Sequence, residues 1–344
     1  MNHFKKWIAS ALSFAVLGSS VFAQSEELES FYGGETVTVL IGHPPGGTFN
    51  LYAQLAAAHL GDHIPGNPEV IVQHMPGGGG SLAAAFFSNK APTDGTMIAI
   101  LPETLAIKQV MDPEGSLWDM NRMRYIGRFT DVTSVMGVRQ GAPATTIEGL
   151  RDVGGNFACS GTTTGSAQTG ALAHYFAGFN LNMVCGYDTA TAGVLAVLRG
   201  EADLTSTIWT NWNATQREQL DSGAIIPVVQ FGLKPIEAIA DVPLAMDLVD
   251  DPEARAAFRL FAASGEVGRA LLASPDMEGA KYQMFVDAFA SMIEDPTFIA
   301  DAEASRVPLN IALADELEEI KALILATPDE QTEILKVALD EGFK

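Results

Sequence analysis

Apolar and polar positions along this chain alternate between two periods. Short aliphatic and β-branched runs end at proline- and glycine-rich turns, and each is followed by a stretch with helical spacing. Val37 to Ile41 reads as a buried strand that Pro44-Pro-Gly-Gly47 stops, and Thr48 stands where it could cap a helix from Phe49 to Leu60. A second copy follows: the apolar run Val70-Ile-Val72, then Pro76, then Gly77 to Gly80, then a helix opening at Ser81. Thr96 to Leu101 reads as a third strand, entered through the turn Pro92-Thr-Asp-Gly95 and followed by a helix from Thr104 to Met111. Strand and helix in alternation predict an α/β fold with a parallel sheet and right-handed crossovers.

The rhythm changes after residue 120. Arg124 to Phe129 and Ser134 to Arg139 read as strands with little helix between them, the passage into a second lobe. Thr145-Thr-Ile-Glu148 has the pattern of a capping box. Strands are then expected at 156–160, 181–185, 202–208 and 225–231, and helices at 169–179, 190–199 and 213–221. From Asp241 onward the chain is mostly helical, with 22 acids against 8 bases in the last 104 residues. Val286 to Ile293 and Leu313 to Ala326 are amphipathic and read as solvated helices packed on the first lobe.

Composition sharpens this picture in three places. The 344 residues carry 42 acids and 20 bases, a net charge of −22, which argues against nucleic acid as a partner because phosphate binding needs a basic footprint. The first 23 residues have Lys5 and Lys6, a short apolar core from Ile8 to Leu17, and Val21-Phe-Ala23 before Gln24. This is the pattern of a secretory signal peptide cleaved after Ala23, and it predicts an exported protein. The two cysteines, Cys159 and Cys185, each end an apolar run before a glycine-containing turn. A disulfide between them and a pair of buried thiols both fit the sequence.

The paired glycine loops place backbone N–H groups at helix N termini, a place to hold a carboxylate or phosphate. Neither loop has the Lys-Ser/Thr of a nucleotide-binding P-loop, and neither is a dinucleotide fingerprint. Ser160, Thr162, Thr163, Thr164, Ser166 and Gln168 form a hydroxyl-rich stretch before a helix, suited to donating neutral hydrogen bonds to a ligand carboxylate or to capping that helix. His59 and His63 are four residues apart, but Gly61 and Pro65 break the helix that would make them metal ligands, and no third ligand is evident. No metal or cofactor is expected. Trp209 and Trp212 could stack on a ligand or fill a core. A serine hydrolase reading would need a base beside Ser160 or Ser166, which His174 could supply.

Pro44-Pro-Gly-Gly-Thr-Phe-Asn50, Met75-Pro-Gly-Gly-Gly-Gly80, Ala91-Pro-Thr-Asp-Gly-Thr96, Gly186-Tyr-Asp-Thr189 and Leu198-Arg-Gly-Glu-Ala-Asp203 occur in that order, with Asp295-Pro-Thr-Phe298 in the tail. Together they resemble the tripartite tricarboxylate transporter receptors, the TctC or Bug family. The resemblance implies a two-lobed periplasmic-binding-protein-like fold of type II, each lobe a mostly parallel sheet flanked by helices. Lobe 1 would comprise 24–130 with 238–344, and lobe 2 would comprise 131–237. It implies a monomeric periplasmic receptor, not an enzyme, that closes over a small organic acid and hands it to integral-membrane permease subunits. By resemblance the acid is held by Pro45, Gly46, Gly47, Thr48 and Asn50, and by Gly77, Gly78, Gly79, Gly80 and Ser81. Lobe 2 would add Ser160, Thr162, Thr163, Thr164, Ser166, Tyr187 and Asp188. Asn50 and Gln54 replace the family's usual Asp and Arg, and Cys159-Ser160-Gly161 replaces its Ser-Ser-Gly, so the ligand does not carry over from a relative. A role as a ligand sensor for a membrane receptor fits the same residues.

Overall fold

The computed structural model describes residues 25–160, 164–187 and 190–344. The expected signal peptide lies outside them, as do Thr162, Thr163 and Asp188. The chain runs β1 (Thr36–Ile41), α1 (Gly47–His59), β2 (Glu69–His74), α2 (Ser81–Asn89), β3 (Met97–Ile100) and α3 (Leu105–Met111). It continues through β4 (Arg124–Thr130), β5 (Ser134–Arg139), α4 (Ile147–Asp152), β6 (Gly155–Cys159), α5 (Gly165–Ala177), β7 (Leu181–Cys185), α6 (Ala190–Leu198) and β8 (Leu204–Ile208). Next come α7 (Trp209–Thr215), α8 (Arg217–Asp221), β9 (Ile225–Phe231), α9 (Pro252–Val267) and β10 (Arg269–Ala273). The last elements are α10 (Gly279–Met292), α11 (Pro296–Ala304), β11 (Ala312–Leu313), α12 (Ala314–Leu325) and α13 (Asp329–Glu341).

Packing divides the chain into two units. Unit 1 holds the described residues up to Leu101, Leu117–Gly127 and Ala270–Ala314. Its sheet has the order β11-β4-β10-β3-β1-β2, with β1 parallel to both β2 and β3. The C-terminal ends of these three strands therefore share one edge, where loops of α/β proteins carry ligand groups. β1 is interior, so Val37, Val39, Leu40 and Ile41 are all buried and the strand reads as an apolar run rather than an alternation.

Unit 2 holds Pro102–Ser116, Arg128–Arg269 and Asp315–Lys344. Its sheet has the order β7-β6-β8-β5-β9. β6 is parallel to β7 and β8, and β5 is antiparallel to β8 and β9. One edge thus collects the ends of β6, β7 and β8 and the start of β5, where Ser134 faces Ile208 and Phe231. The core beneath is built around Trp212, whose Nε1–H donates to the Val135 carbonyl at 2.8 Å.

The structure departs from the sequence reading at definite points. The expected lobe boundaries assign 102–116, 238–269 and 315–344 to lobe 1, whereas packing joins them to unit 2. Of the acidic tail, α10 and α11 belong to unit 1, but α9 and α13 do not: α13 packs on α5 and α9. Its buried Leu335, Ala338 and Leu339 form the contacting face, and Gly342 leaves no room for a Cβ against the Ala171 carbonyl. Strand β10 was not anticipated; all five of its residues are buried, and it runs antiparallel to β3. Thr146, not Thr145, caps α4, accepting the Gly149 N–H at 3.1 Å, so the expected capping box does not form. The helix expected at 213–221 is two short helices that part at Gln216.

Candidate functional site

In unit 1 the two glycine loops leave β1 and β2 at the shared edge. Helix α1 begins two residues before its predicted start, with Gly46 as its cap residue at φ 90° and ψ 169°. That backbone region is open to glycine alone, so Gly46 takes the cap position and Thr48 falls inside the first turn. The second loop holds Gly77, Gly78, Gly79 and Gly80 all at positive φ, and α2 starts from Gly80. Neither helix has a capping side chain or an acidic residue in its first turn. Both ends therefore keep their positive dipole potential uncompensated.

The loops brace each other. Met75 N–H donates to the Ile41 carbonyl at 2.9 Å, and His74 Nδ1 donates to the His43 carbonyl at 3.0 Å. The His43 ring stacks on Phe49, with centroids 3.9 Å apart. Gly42 abuts Gly80 so closely that a Cβ on it would lie 2.7 Å from the Gly80 Cα. Within the second loop, Gly80 and Leu82 N–H donate to the Gly77 carbonyl and Ser81 N–H to that of Gly78. Of the five residues predicted there, Gly80 and Ser81 thus have their backbone donors occupied. Among the described residues the N–H groups of Gly78 and Gly79 have no partner, and nothing lies within 4 Å of where a Cβ on Gly46, Gly47 or Gly79 would be.

In unit 2 the hydroxyl stretch forms a cluster at the start of α5. Thr164 caps the helix, accepting the Ala167 N–H at 3.4 Å. Ser160 Oγ donates to Thr164 Oγ1 at 3.0 Å, and Ser166 Oγ lies 3.2 Å from Thr164 Oγ1 and 3.5 Å from Ser160 Oγ. Of the two roles the sequence offered, Thr164 fills the helix cap, and it also joins this cluster of hydroxyls. The cysteines are bonded: Cys159 and Cys185 are partners in the β6–β7 register, with Cα atoms 4.4 Å apart. Just past them, Gly186 N–H reaches the Cys159 and Ser160 carbonyls at 3.0 Å each, and Tyr187 N–H reaches the Cys159 carbonyl at 3.2 Å. The Tyr187 ring is partly buried against the Trp212 cluster. At the same edge Trp209 N–H donates to the Thr133 carbonyl and Asn211 Nδ2 to Thr207 Oγ1. The sequence reading named Trp209 but not Thr133 or Thr207; the signal would have been the position of Thr133 just before β5 and of Thr207 near the end of β8.

Other singled-out residues are structural. Asp94 closes the turn into β3, accepting the Thr96 N–H at 3.0 Å and the Thr96 hydroxyl at 2.6 Å. Burial pushes the Asp94 carboxyl up, but these bonds and the Lys281 charge outweigh it, and the net shift is downward. Asp203 holds the Asn156 N–H at 2.9 Å and pairs with Arg139 at 3.2 Å. Asp295 caps α11 through the Thr297 N–H. His59 meets Asp301 at 2.9 Å, while His63 meets Ser291 at 2.9 Å and Asp295 at 3.5 Å, so the two do not converge. Trp212 is core. His174 Nδ1 lies 2.8 Å from the Phe179 carbonyl oxygen and 3.3 Å from the Leu181 nitrogen. Eight residues of helix, about 12 Å, separate it from Ser166, so the serine–histidine pair a hydrolase would need is not made.

The sequence matches no family model and no curated protein. Its fold does match solved structures. Against a TctC solute binding protein from Polaromonas the TM-score is 0.67 at 15% identity, covering 90% of this chain and 99% of that one. Against the R. palustris protein Rpa4515 with adipate it is 0.62 at 15% identity, covering 89% and 97%. Against MatC from Rhodopseudomonas palustris with bound malate it is 0.58 at 15% identity, covering 90% and 98%. The fold is thus that of the two-lobed periplasmic solute-binding proteins. No helix among the described residues is long and apolar enough to cross a membrane.

Proposed function

We propose that this chain is an extracytoplasmic solute receptor of the TctC type that captures a small organic acid and delivers it to membrane permease subunits, without catalysis. The observation that carries the reading is the pair of braced glycine loops: two helix N termini side by side, with no side chain on either cap residue, no acid in either first turn, and N–H groups at Gly78 and Gly79 that have no partner among the described residues. Such donors favour a carboxylate. In unit 2 the neutral hydroxyls of Ser160 and Ser166, with Thr162 and Thr163 between them in sequence, and the Tyr187-Asp188 turn after β7 are further polar groups suited to an organic acid. The adipate and malate in the two R. palustris structures support a di- or tricarboxylate as the ligand class. The leader and the bonded cysteines support export to an oxidising compartment.

A thermal-shift screen of the mature protein against mono-, di- and tricarboxylates, sugars and amines tests this. A ligand at 100 times its Kd adds about 2.7 kcal/mol of stability, several degrees at this size. A shift from a dicarboxylate that a side chain at Gly79 abolishes establishes function and site together. Shifts from sugars or amines but from no acid would refute the carboxylate reading. Stabilisation of the liganded protein by a membrane receptor, with no permease subunits encoded alongside, would favour the sensor instead.

A further inference from the structure

The Cys159–Cys185 bridge sits at the last residue pair of the β6–β7 ladder. The next residue on one side is Ser160, which opens the hydroxyl cluster; on the other it is Gly186, which leads to Tyr187. Strand β7 is the outer strand of its sheet, with Asn182, Val184 and Cys185 all exposed, so its end is held by little packing. Strand ends of this kind open first. The bridge ties that end to Cys159, which is buried and interior. Beyond it three backbone bonds, from Gly186 and Tyr187 to the Cys159 and Ser160 carbonyls, lay one loop on the other. Four ladder pairs precede the bridge, from Gly155 with Leu181 to Ala158 with Val184, so strand register is specified without it. The place it constrains is the departure point of both loops.

We infer that the Cys159–Cys185 disulfide is a positioning device for the ligand-binding loops of unit 2: it fixes the spacing between the Ser160–Thr164–Ser166 hydroxyl cluster and the Gly186–Tyr187 loop. This rests on the receptor reading for its consequence in binding, and on geometry alone for its consequence in loop order. A bridge serving only global stability would lower the melting temperature and leave affinity unchanged well below it.

The test compares C159S/C185S with Leu335→Ala, a buried α13 position outside both loops, in the mature protein. Malate, adipate, succinate and citrate are titrated by calorimetry at a temperature where both variants keep the native circular dichroism. Amide exchange is followed at Gly186 and Tyr187. The double variant should bind at least tenfold more weakly than wild type and exchange at those two amides at least tenfold faster, while Leu335→Ala matches wild type in both. Unchanged exchange at Gly186 and Tyr187 in the double variant would overturn the inference whether or not a ligand is found. Faster exchange with unchanged affinity would overturn its role in binding. Failure of wild type to bind any acid would refute the receptor reading instead, and the exchange result would still decide the role of the bridge in ordering the loops.

Discussion

Replacing Gly42 with alanine should strike stability and binding at once, because Gly42 is where the two glycine loops touch. The ideal Cβ would lie 2.7 Å from the Gly80 Cα, 3.2 Å from the Gly80 carbonyl oxygen and 3.3 Å from the Ala83 Cβ. Optimal carbon contacts are at about 3.5–4.0 Å. Two of the three obstacles are backbone, so no rotamer change relieves the overlap; β1 and α2 must move apart. Gly42 is not among the glycines at positive φ, so the cost is steric alone. Overpacking of this kind costs about 1–3 kcal/mol, and rigid neighbours put it in the upper half, roughly 2–3 kcal/mol. At about 2–4 °C per kcal/mol for units of this size, the melting temperature should fall by roughly 4–12 °C. Separating the loops also separates the two helix N termini, so affinity for the best carboxylate should drop at least tenfold, about 1.4 kcal/mol. Melts followed by circular dichroism and calorimetric titration read the two effects. A fall of under about 2 °C would show that the loops yield freely and that their close approach does not hold the site.

Gly79→Asn should behave in the opposite way. Asparagine tolerates the left-handed conformation at φ 63° and nothing lies within 4 Å of its Cβ, so stability should change by less than about 1 kcal/mol while carboxylate affinity collapses; retained affinity would remove the second loop from the site. Trp212→Phe removes the 2.8 Å bond to the Val135 carbonyl and leaves a void where the larger ring was buried, which should cost about 2 kcal/mol by chemical denaturation, and a loss below about 0.5 would contradict the placement. Asp94→Ala should cost about 1 kcal/mol and leave affinity untouched, since the turn it closes lies at the opposite end of β3 from the glycine loops. Burial, with the Asp131 charge second and against Arg128 and Lys234, raises the Glu266 carboxyl above its ordinary value. The native state then binds that proton more tightly than the unfolded chain. Its contribution falls as pH rises from the ordinary carboxylate range through the raised value and is flat above it. Glu266→Gln should abolish that slope in a plot of melting temperature against pH; identical slopes for wild type and variant would refute the assignment.

What the sequence made legible follows a physical rule. Interior strands such as β1 and β3 are continuous apolar runs bounded by turns, and their positions were readable to within a residue or two. Strand β10 was not, because Arg269-Ala-Leu-Leu-Ala273 follows a sixteen-residue amphipathic helix with only Gly268 as punctuation, and a short apolar run looks the same in helix or strand. The packing partner of the tail was hidden for a different reason. An amphipathic face on α13 announces that it packs, but the partner is written in the shape of α5, whose Ala171 backbone comes close enough to Gly342 to leave no room for a Cβ. The glycine loops were legible as turns that open helices, while the division of backbone donors within them was not. Occupied donors at Gly80, Ser81 and Leu82 and unused ones at Gly78 and Gly79 depend on dihedral angles that four consecutive glycines leave open to many values. The same holds for the cysteines: their register across β6 and β7 decides the bond, and register is a property of pairing.

A chain with a net charge of −22 is at first sight a poor host for an anion. The two charges act at different ranges. Carboxylates exposed on the surface are screened within about 8 Å at physiological salt, and an approaching acid meets only the nearest of them. The N–H groups of Gly78 and Gly79 act at contact, and neither adjacent helix carries an acid in its first turn to cancel them. The one carboxylate expected beside the loop, the family's usual Asp, is Asn50 here. At the glycine loops, contact donors with no acid in either first turn favour an anion despite the overall charge, and the acidic surface is left to govern solubility and encounter rate.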